Sequence, residues 1–368
     1  MSTASQLRRS PLYEKQRDAG ARFLAQGDWE MLDSFGSPDA EYEALSSTVG
    51  IVDLCHEGRF KLEGADAEAC LDHLACIDVS QIAVNTERVC YLLNERGGII
   101  DEVGILRSDR FWSIHCSAPR RERVWKWLEA AGDEFADIEL SDATTTQGSV
   151  AVIGPLAVEL MRDGIMDGKV PAEEGASSIL QIGQGRCLVT RRHFGGQPCF
   201  HIDSGGLFIE SVWERLCNLA GRRDGMPVGF RALEMVRVEA AQPRVGAEID
   251  EDTTPIEIGR MLKVEFTKPD FVGRQPLLHS TCGEFTRRLV FLRIEGLDVP
   301  HPGDPVETDG VPVGYVTSAA SSPRVKCALA MAYVDSFKTA PNTTLSIRTQ
   351  HNTTLLASVT DSESAKSR

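Results

Sequence analysis

Arg88-Val-Cys-Tyr-Leu-Leu-Asn-Glu-Arg-Gly-Gly-Ile-Ile-Asp-Glu102 is the stretch on which the fold turns. Residues 88–93 are short, apolar and partly β-branched or aromatic, as a half-buried strand should be. Gly97 and Gly98 supply the positive φ that a turn needs, and no GK[ST] follows them, so they are not a phosphate loop. If the chain returns from that turn extended, Asp101 and Glu102 point to opposite faces of it.

Working outward, residues 59–63, 111–116 and 149–153 carry the same strand signature. Between them, 67–76 places apolar residues at helical spacing. Residues 119–131 begin with a proline in the first turn and put Val124, Trp127, Leu128 and Ala131 on one face, stopping before Gly132. With no internal repeat and no low-complexity tract, this mixture predicts an α+β protein whose helices cover one face of antiparallel sheets. After Gly273 the character changes: 287–295, 313–318 and 325–334 read as strands divided by Gly/Pro/Asp turns, with no helix between them. A separate small β-barrel or sandwich is expected over 283–348, after a larger region spanning 1–275. The tail, 351–368, is rich in Ser and Thr and is expected to be loose.

At 368 residues the chain can bury more than one core. A net charge of −15, from 39 basic and 54 acidic residues without a basic cluster, argues against nucleic acid as a partner. No stretch is long and apolar enough for a membrane span, and the polar start lacks a signal-peptide core, so a cytoplasmic protein is expected. The ten cysteines include no CxxC pair. They read as reduced, mostly buried thiols rather than metal ligands, and no metal site is expected.

Five ordered blocks resemble the glycine cleavage T-protein superfamily. Arg9-Ser-Pro-Leu-Tyr-Glu followed by Asp28-Trp-Glu-Met31 is similar to "TPLYE…GWEM", and Gly50-Ile-Val-Asp-Leu-Cys-His56 to "GxxDxSH". Residues 93–102 resemble "LNExGGIIDD". Arg237-Val-Glu-Ala, Gly246-Ala-Glu-Ile-Asp-Glu-Asp-Thr-Thr-Pro-Ile-Glu257 and Lys268-Pro-Asp-Phe-Val-Gly-Arg274 resemble "RLEAG…YGxDIDExTTPxE" and "KxDFxGR". Val313-Gly-Tyr-Val-Thr-Ser-Ala319 with Ser322-Pro resembles "GxVTSGxxSP". Gly229-Phe-Arg-Ala-Leu-Glu234 looks closer to the folate-binding halves of sarcosine and dimethylglycine dehydrogenases. The resemblance implies a three-lobed cloverleaf, two interleaved α+β lobes plus a C-terminal β-barrel, with tetrahydrofolate in a central channel.

The resemblance also implies site residues, and several are altered. Glu102 stands where the family has its catalytic aspartate, one methylene further from the backbone; Asp101 precedes it, and His56 matches the family's "SH" histidine. Glu102 is equally readable as a solvated strand-end carboxylate, and His56 as a satisfied structural histidine. A carboxylate can accept a pterin N–H and its neighbouring amino group as a pair, but the family's glutamate for that contact is replaced by His201, which has one acceptor. Asp203 lies two residues on and shares its face in a strand, or else opens the turn at 204–206. Phe194 replaces a family tyrosine. Leu233 replaces an arginine, for which Arg231 could substitute unless it is a surface residue of its helix.

The chemistry implied is transfer of a one-carbon unit, aminomethyl or methyl, from a small amine, sulfonium or methyl ether to tetrahydrofolate. The altered anchors argue against the housekeeping glycine-cleaving role and against a lipoyl carrier protein as partner, which the sequence leaves open. The alternatives are a folate-binding accessory protein without turnover, or a pocket reshaped for a non-folate small molecule with Glu102 and His201 as its chemical groups.

Overall fold

The structure, a computed structural model, describes residues 7–281 and 286–361. It divides into two compact units. The first runs to Asp72 and resumes over Asp78–Cys90 and Val103–Leu233; the second holds His73–Ile77, Tyr91–Glu102 and the chain from Glu234 onward. The chain therefore changes unit within the quoted 88–102 stretch, and the second unit holds more than the barrel expected on its own.

In the first unit a six-stranded sheet runs in the order Ser177–Ile182, Gly185–Phe194, Gln197–Gly205, Gln147–Ile153, Gly50–Asp53, Met226–Val228. All neighbours are antiparallel except the last pair, which is parallel. The helices Ala157–Gly164 and Ile209–Gly221 cover it. The second of these buries Ile209, Val212, Trp213, Leu216, Leu219 and Ala220, a stripe at three- and four-residue spacing. These meet Val150, Val152, Phe200 and Ile202, alternate residues of the two central strands, all fully buried. Each such aliphatic side chain withdrawn from water contributes about 1.5–3 kcal/mol. A five-stranded sheet contains Trp112–Cys116 and Gly58–Glu63 at its centre, antiparallel to each other.

In the second unit six strands close a barrel in the order Arg287–Ile294, Cys327–Asp335, Val311–Ser322, Pro305–Thr308, Thr344–Arg348, Thr354–Thr360. Its interior alternates: Val290, Leu292 and Ile294; Ala328, Ala330, Ala332 and Val334; Leu345 and Ile347; Leu355, Ala357 and Val359. Leu329 and Met331 point the other way and pack with Val238 of the Phe230–Glu239 helix. The Cys327–Asp335 strand is thus buried on both faces, which accounts for its unbroken apolar run.

The loose tail expected over 351–368 is corrected at Thr354–Thr360, and residues 362–368 lie outside the described residues. Thr354–Thr360 pairs with both Thr344–Arg348 and Arg287–Ile294 and closes the barrel, because its Leu355, Ala357 and Val359 supply a period-2 apolar face hidden among serines and threonines. Residue 283, the expected start of the barrel, lies outside the described residues, as does Cys282. The other nine cysteines form no disulfide; eight are buried and Cys217 is half-buried. The 119–131 helix is an α-helix over Arg121–Gly132 that takes in the glycine expected to stop it, with its proline in the preceding 3-10 turn, Ala118–Arg120.

Candidate functional site

Asp101 and Glu102 at the end of the quoted stretch face apart. Both lie in the Ile99–Arg107 strand. Asp101 is fully buried, and one of its carboxylate oxygens accepts the Glu102 backbone N–H at 2.9 Å. Glu102 is 28% exposed and its Oε2 lies 2.6 Å from the Lys263 ammonium. Beneath them is Tyr91, fully buried, with the Lys263 nitrogen 5.6 Å from its ring centre. Burial first, and then the Glu102 carboxylate, push the Tyr91 phenol far above its usual range. The two turn glycines have different reasons to be glycine. Gly97 has φ of +82°, whereas at Gly98 a Cβ would fall 1.9 Å from the carbonyl oxygen of Glu251, so the backbones themselves are in contact there.

In the first unit, His201 and Asp203 are brought together on one face of the Gln197–Gly205 strand. The strand continues through Gly205, so Asp203 does not open a turn. Its Oδ2 lies 3.0 Å from Nε2 of His115, on the Trp112–Cys116 strand of the other sheet. The opposite ring nitrogen of His115 is 3.4 Å from Glu87, which also accepts a forked pair of hydrogen bonds from Arg192, one of 2.7 Å from Nε. Gly104 makes room for this fork, since a Cβ there would come within 2.7 Å of a Glu87 oxygen.

Burial alone would discharge each of these groups, but the partners outweigh it. Asp203 and then Glu87 raise the His115 imidazole to about 9 despite desolvation. Desolvation would raise Asp203, yet His115 and the charges beyond it hold its carboxyl well below the usual range. Glu87 is depressed likewise, by Arg192 and His115 against desolvation. His201 differs: burial first, then the Arg192 charge, lower its pKa well below normal, and it is a neutral imidazole. Its Nε2 shares a 2.6 Å hydrogen bond with the Ser149 hydroxyl, and the ring stands 5.0 Å from that of His115. Two atoms of this strand face are buried without a hydrogen-bond partner among the described residues, Nδ1 of His201 and Oδ1 of Asp203. One unpaired acceptor beside a ring nitrogen able to donate or accept is chemically suited to the polar edge of a pterin.

The remaining expected residues lie elsewhere in the first unit. His56 sits in the turn after Gly50–Asp53, its ring edge-on to Trp29 at 6.4 Å, and burial lowers its pKa. That turn is shaped by Arg59, which is 1% exposed and donates to the carbonyls of Leu54, Cys55, Thr144 and Gln147. Arg231 lies in the first turn of the Phe230–Glu239 helix, with its side chain 64% exposed and Nε 2.8 Å from Asp33. Phe194 ends the Gly185–Phe194 strand, half-buried. Sequence reading missed Glu87, His115, Arg192, Ser149, Tyr91 and Lys263. A polar residue at a buried strand position, as in Trp112-Ser-Ile-His-Cys116, and the glycine inside a strand at 104 were the available signals.

Comparison with known proteins places the chain among relatives. Residues 12–268 match the family model described as the GCVT N-terminal domain, and residues 287–363 that of the glycine cleavage T-protein C-terminal barrel domain. The chain is 30% identical over 329 residues to an aminomethyltransferase of Thermotoga maritima, covering 89% of this chain and 90% of that one. An aminomethyltransferase of Symbiobacterium thermophilum is 29% identical over 336 residues, 89% of each. Among solved structures, the glycine cleavage system aminomethyltransferase T from Bartonella henselae shares the fold, with a TM-score of 0.88 at 24% identity over 96% of each chain.

Proposed function

This chain belongs to the glycine cleavage T-protein family, and from that premise we propose that it is an enzyme, a tetrahydrofolate-dependent one-carbon transferase that takes an aminomethyl or methyl group from a small amine, sulfonium or methyl ether. The observation that carries this reading is Glu102: a carboxylate held by a cation and still 28% exposed, so that a ligand can reach it. An anion in that position can orient a folate nitrogen, stabilise the positive charge of a donor nitrogen or sulfur, and hold a proton in transit. Asp101, buried and bonded to the next peptide N–H, supports the strand rather than the donor. Bound tetrahydrofolate would supply the nitrogen that accepts the one-carbon unit. Within the first unit taken by itself, the unpaired atoms of His201 and Asp203 are suited to a pterin edge, Phe194 offers an aromatic surface, Arg231 an exposed guanidinium and His56 a shaping role. The test is anaerobic calorimetry of tetrahydrofolate on the full chain, followed by turnover on an N-methyl amine, a methyl sulfonium and a methyl ether. A saturable heat and one productive donor are expected.

A second reading is favoured by one feature. His201 is neutral and committed to Ser149, and Asp203 to His115, so the strand face presents less charge than a free carboxylate would. A pocket reshaped for a non-folate small molecule fits that as well. Absence of heat from tetrahydrofolate would overturn the first reading in favour of this one. Asp203→Asn cannot separate the two, because it also breaks the His115 pair.

A further inference from the structure

We propose that Lys263 is a positioning residue for Glu102: its ammonium fixes the direction in which the carboxylate is presented, and Tyr91 and Cys76 fix Lys263. This rests on the one-carbon transfer reading of Glu102. A half-exposed glutamate has three side-chain torsions and, left to itself, samples many rotamers, so a carboxylate that must meet a ligand has to be held. The holder is well built. Lys263 ends the single 3-10 turn Met261–Lys263, and its carbonyl accepts the Cys76 thiol at 3.0 Å. Directly after it, Val264 N–H donates to Met261 O at 3.0 Å and Glu265 N–H to Cys76 O at 2.8 Å. Cys76 and Tyr91 are both fully buried. The backbone of residue 263 is therefore pinned to the interior while its ammonium stands near the Tyr91 ring, 2.6 Å from the Glu102 carboxylate.

The exposure of the pair, 33% for Lys263 and 28% for Glu102, argues for a role other than folding. An ion pair so wetted adds little to stability, because water screens it and two long side chains lose freedom in making it. What it does provide is a carboxylate with one direction and one charge. The adjoining guanidinium of Arg260 is turned to the Ala241 carbonyl, at 2.7 Å.

The experiment is anaerobic titration with tetrahydrofolate of the parent, Lys263→Met, Glu102→Gln, the double variant and Lys263→Arg, each checked by thermal melting. Lys263→Met and Glu102→Gln are each expected to weaken binding about tenfold, the order of one lost charge-assisted hydrogen bond. The double variant should be no more than about twofold weaker than either single variant, because the two side chains act as one unit. Lys263→Arg keeps the charge and should recover to within about threefold of the parent. Melting temperatures should be unchanged throughout. Parent-like binding by Lys263→Met overturns the proposal, as do losses that multiply in the double variant, or no recovery with arginine. If the parent itself gives no heat, the folate reading fails and this proposal falls with it. Binding by the parent with an indifferent Lys263→Met removes this proposal alone.

Discussion

The Glu87–Arg192–His115–Asp203 cluster of the first unit and the Glu102–Lys263 pair of the second are both built from opposite charges on or beside β-strands, but water treats them differently. The side chains of Glu87, His115 and Asp203 are 1%, 4% and 6% exposed, against 28% and 33% for Glu102 and Lys263. In the cluster Glu87, His115 and Asp203 have been taken out of water and depend on their neighbours to remain charged, while Arg192 stays 23% exposed. In the pair neither charge has been fully desolvated, so its removal leaves little strain. A close ion pair can therefore be held chiefly by the fold, as in the cluster, where Oδ1 of Asp203 is left unpaired among the described residues, or be presented to a ligand, as at Glu102.

Breaking the cluster is the harshest test of that distinction. Glu87→Leu leaves Arg192 without its close counter-charge and His115 with Asp203 alone, and should cost about 3–5 kcal/mol in urea unfolding. A loss under about 1 kcal/mol would put the cluster in the same class as an exposed pair. At the other region, Glu102→Gln should leave the unfolding midpoint unchanged and lower turnover on a productive donor by about ten- to a thousandfold. Unchanged turnover would return Glu102 to the role of a solvated strand carboxylate.

The contrast also has a pH signature. His115 is raised from 6.5 to about 9, so its stabilisation is fully present below about 6.5 and is lost as pH rises through about 9. Asp203 and Glu87 are depressed, so theirs is present above the ordinary carboxylate range and lost only in stronger acid. His201, kept neutral by burial, works against stability as pH falls below 6.5. The thermal midpoint should fall between pH 7 and pH 9.5, a window set by those values, and His115→Gln should flatten that limb. Equal slopes in parent and variant would show that His115 is not the group titrating. The smallest effect is expected at Arg231, 64% exposed. Arg231→Ala should cost less than about 1 kcal/mol of stability. If its guanidinium meets the cofactor, tetrahydrofolate affinity should nevertheless fall; unchanged affinity would leave it a surface arginine paired with Asp33.

The sequence alone determined those elements whose side chains repeat at a regular period against a single core. The strands over 88–93 and 149–153, the helix around Val124 and Leu128, and the α+β class with a terminal β-domain all follow from periods of 2 and 3.6, and the family follows from five ordered blocks. It failed at Thr354–Thr360, where the period-2 face of Leu355, Ala357 and Val359 is masked by serines and threonines and is decided by pairing with a strand some sixty residues earlier. It also placed Glu102 and Asp101 on opposite faces, because that depends only on backbone geometry. What the tertiary structure alone decided is which charges meet. Asp203 is bound to His115, 88 positions earlier in the chain, and Glu102 to Lys263, 161 positions later. No local period encodes such partners, because an ion pair depends on a distance of a few ångströms between side chains that only the packed strands bring together.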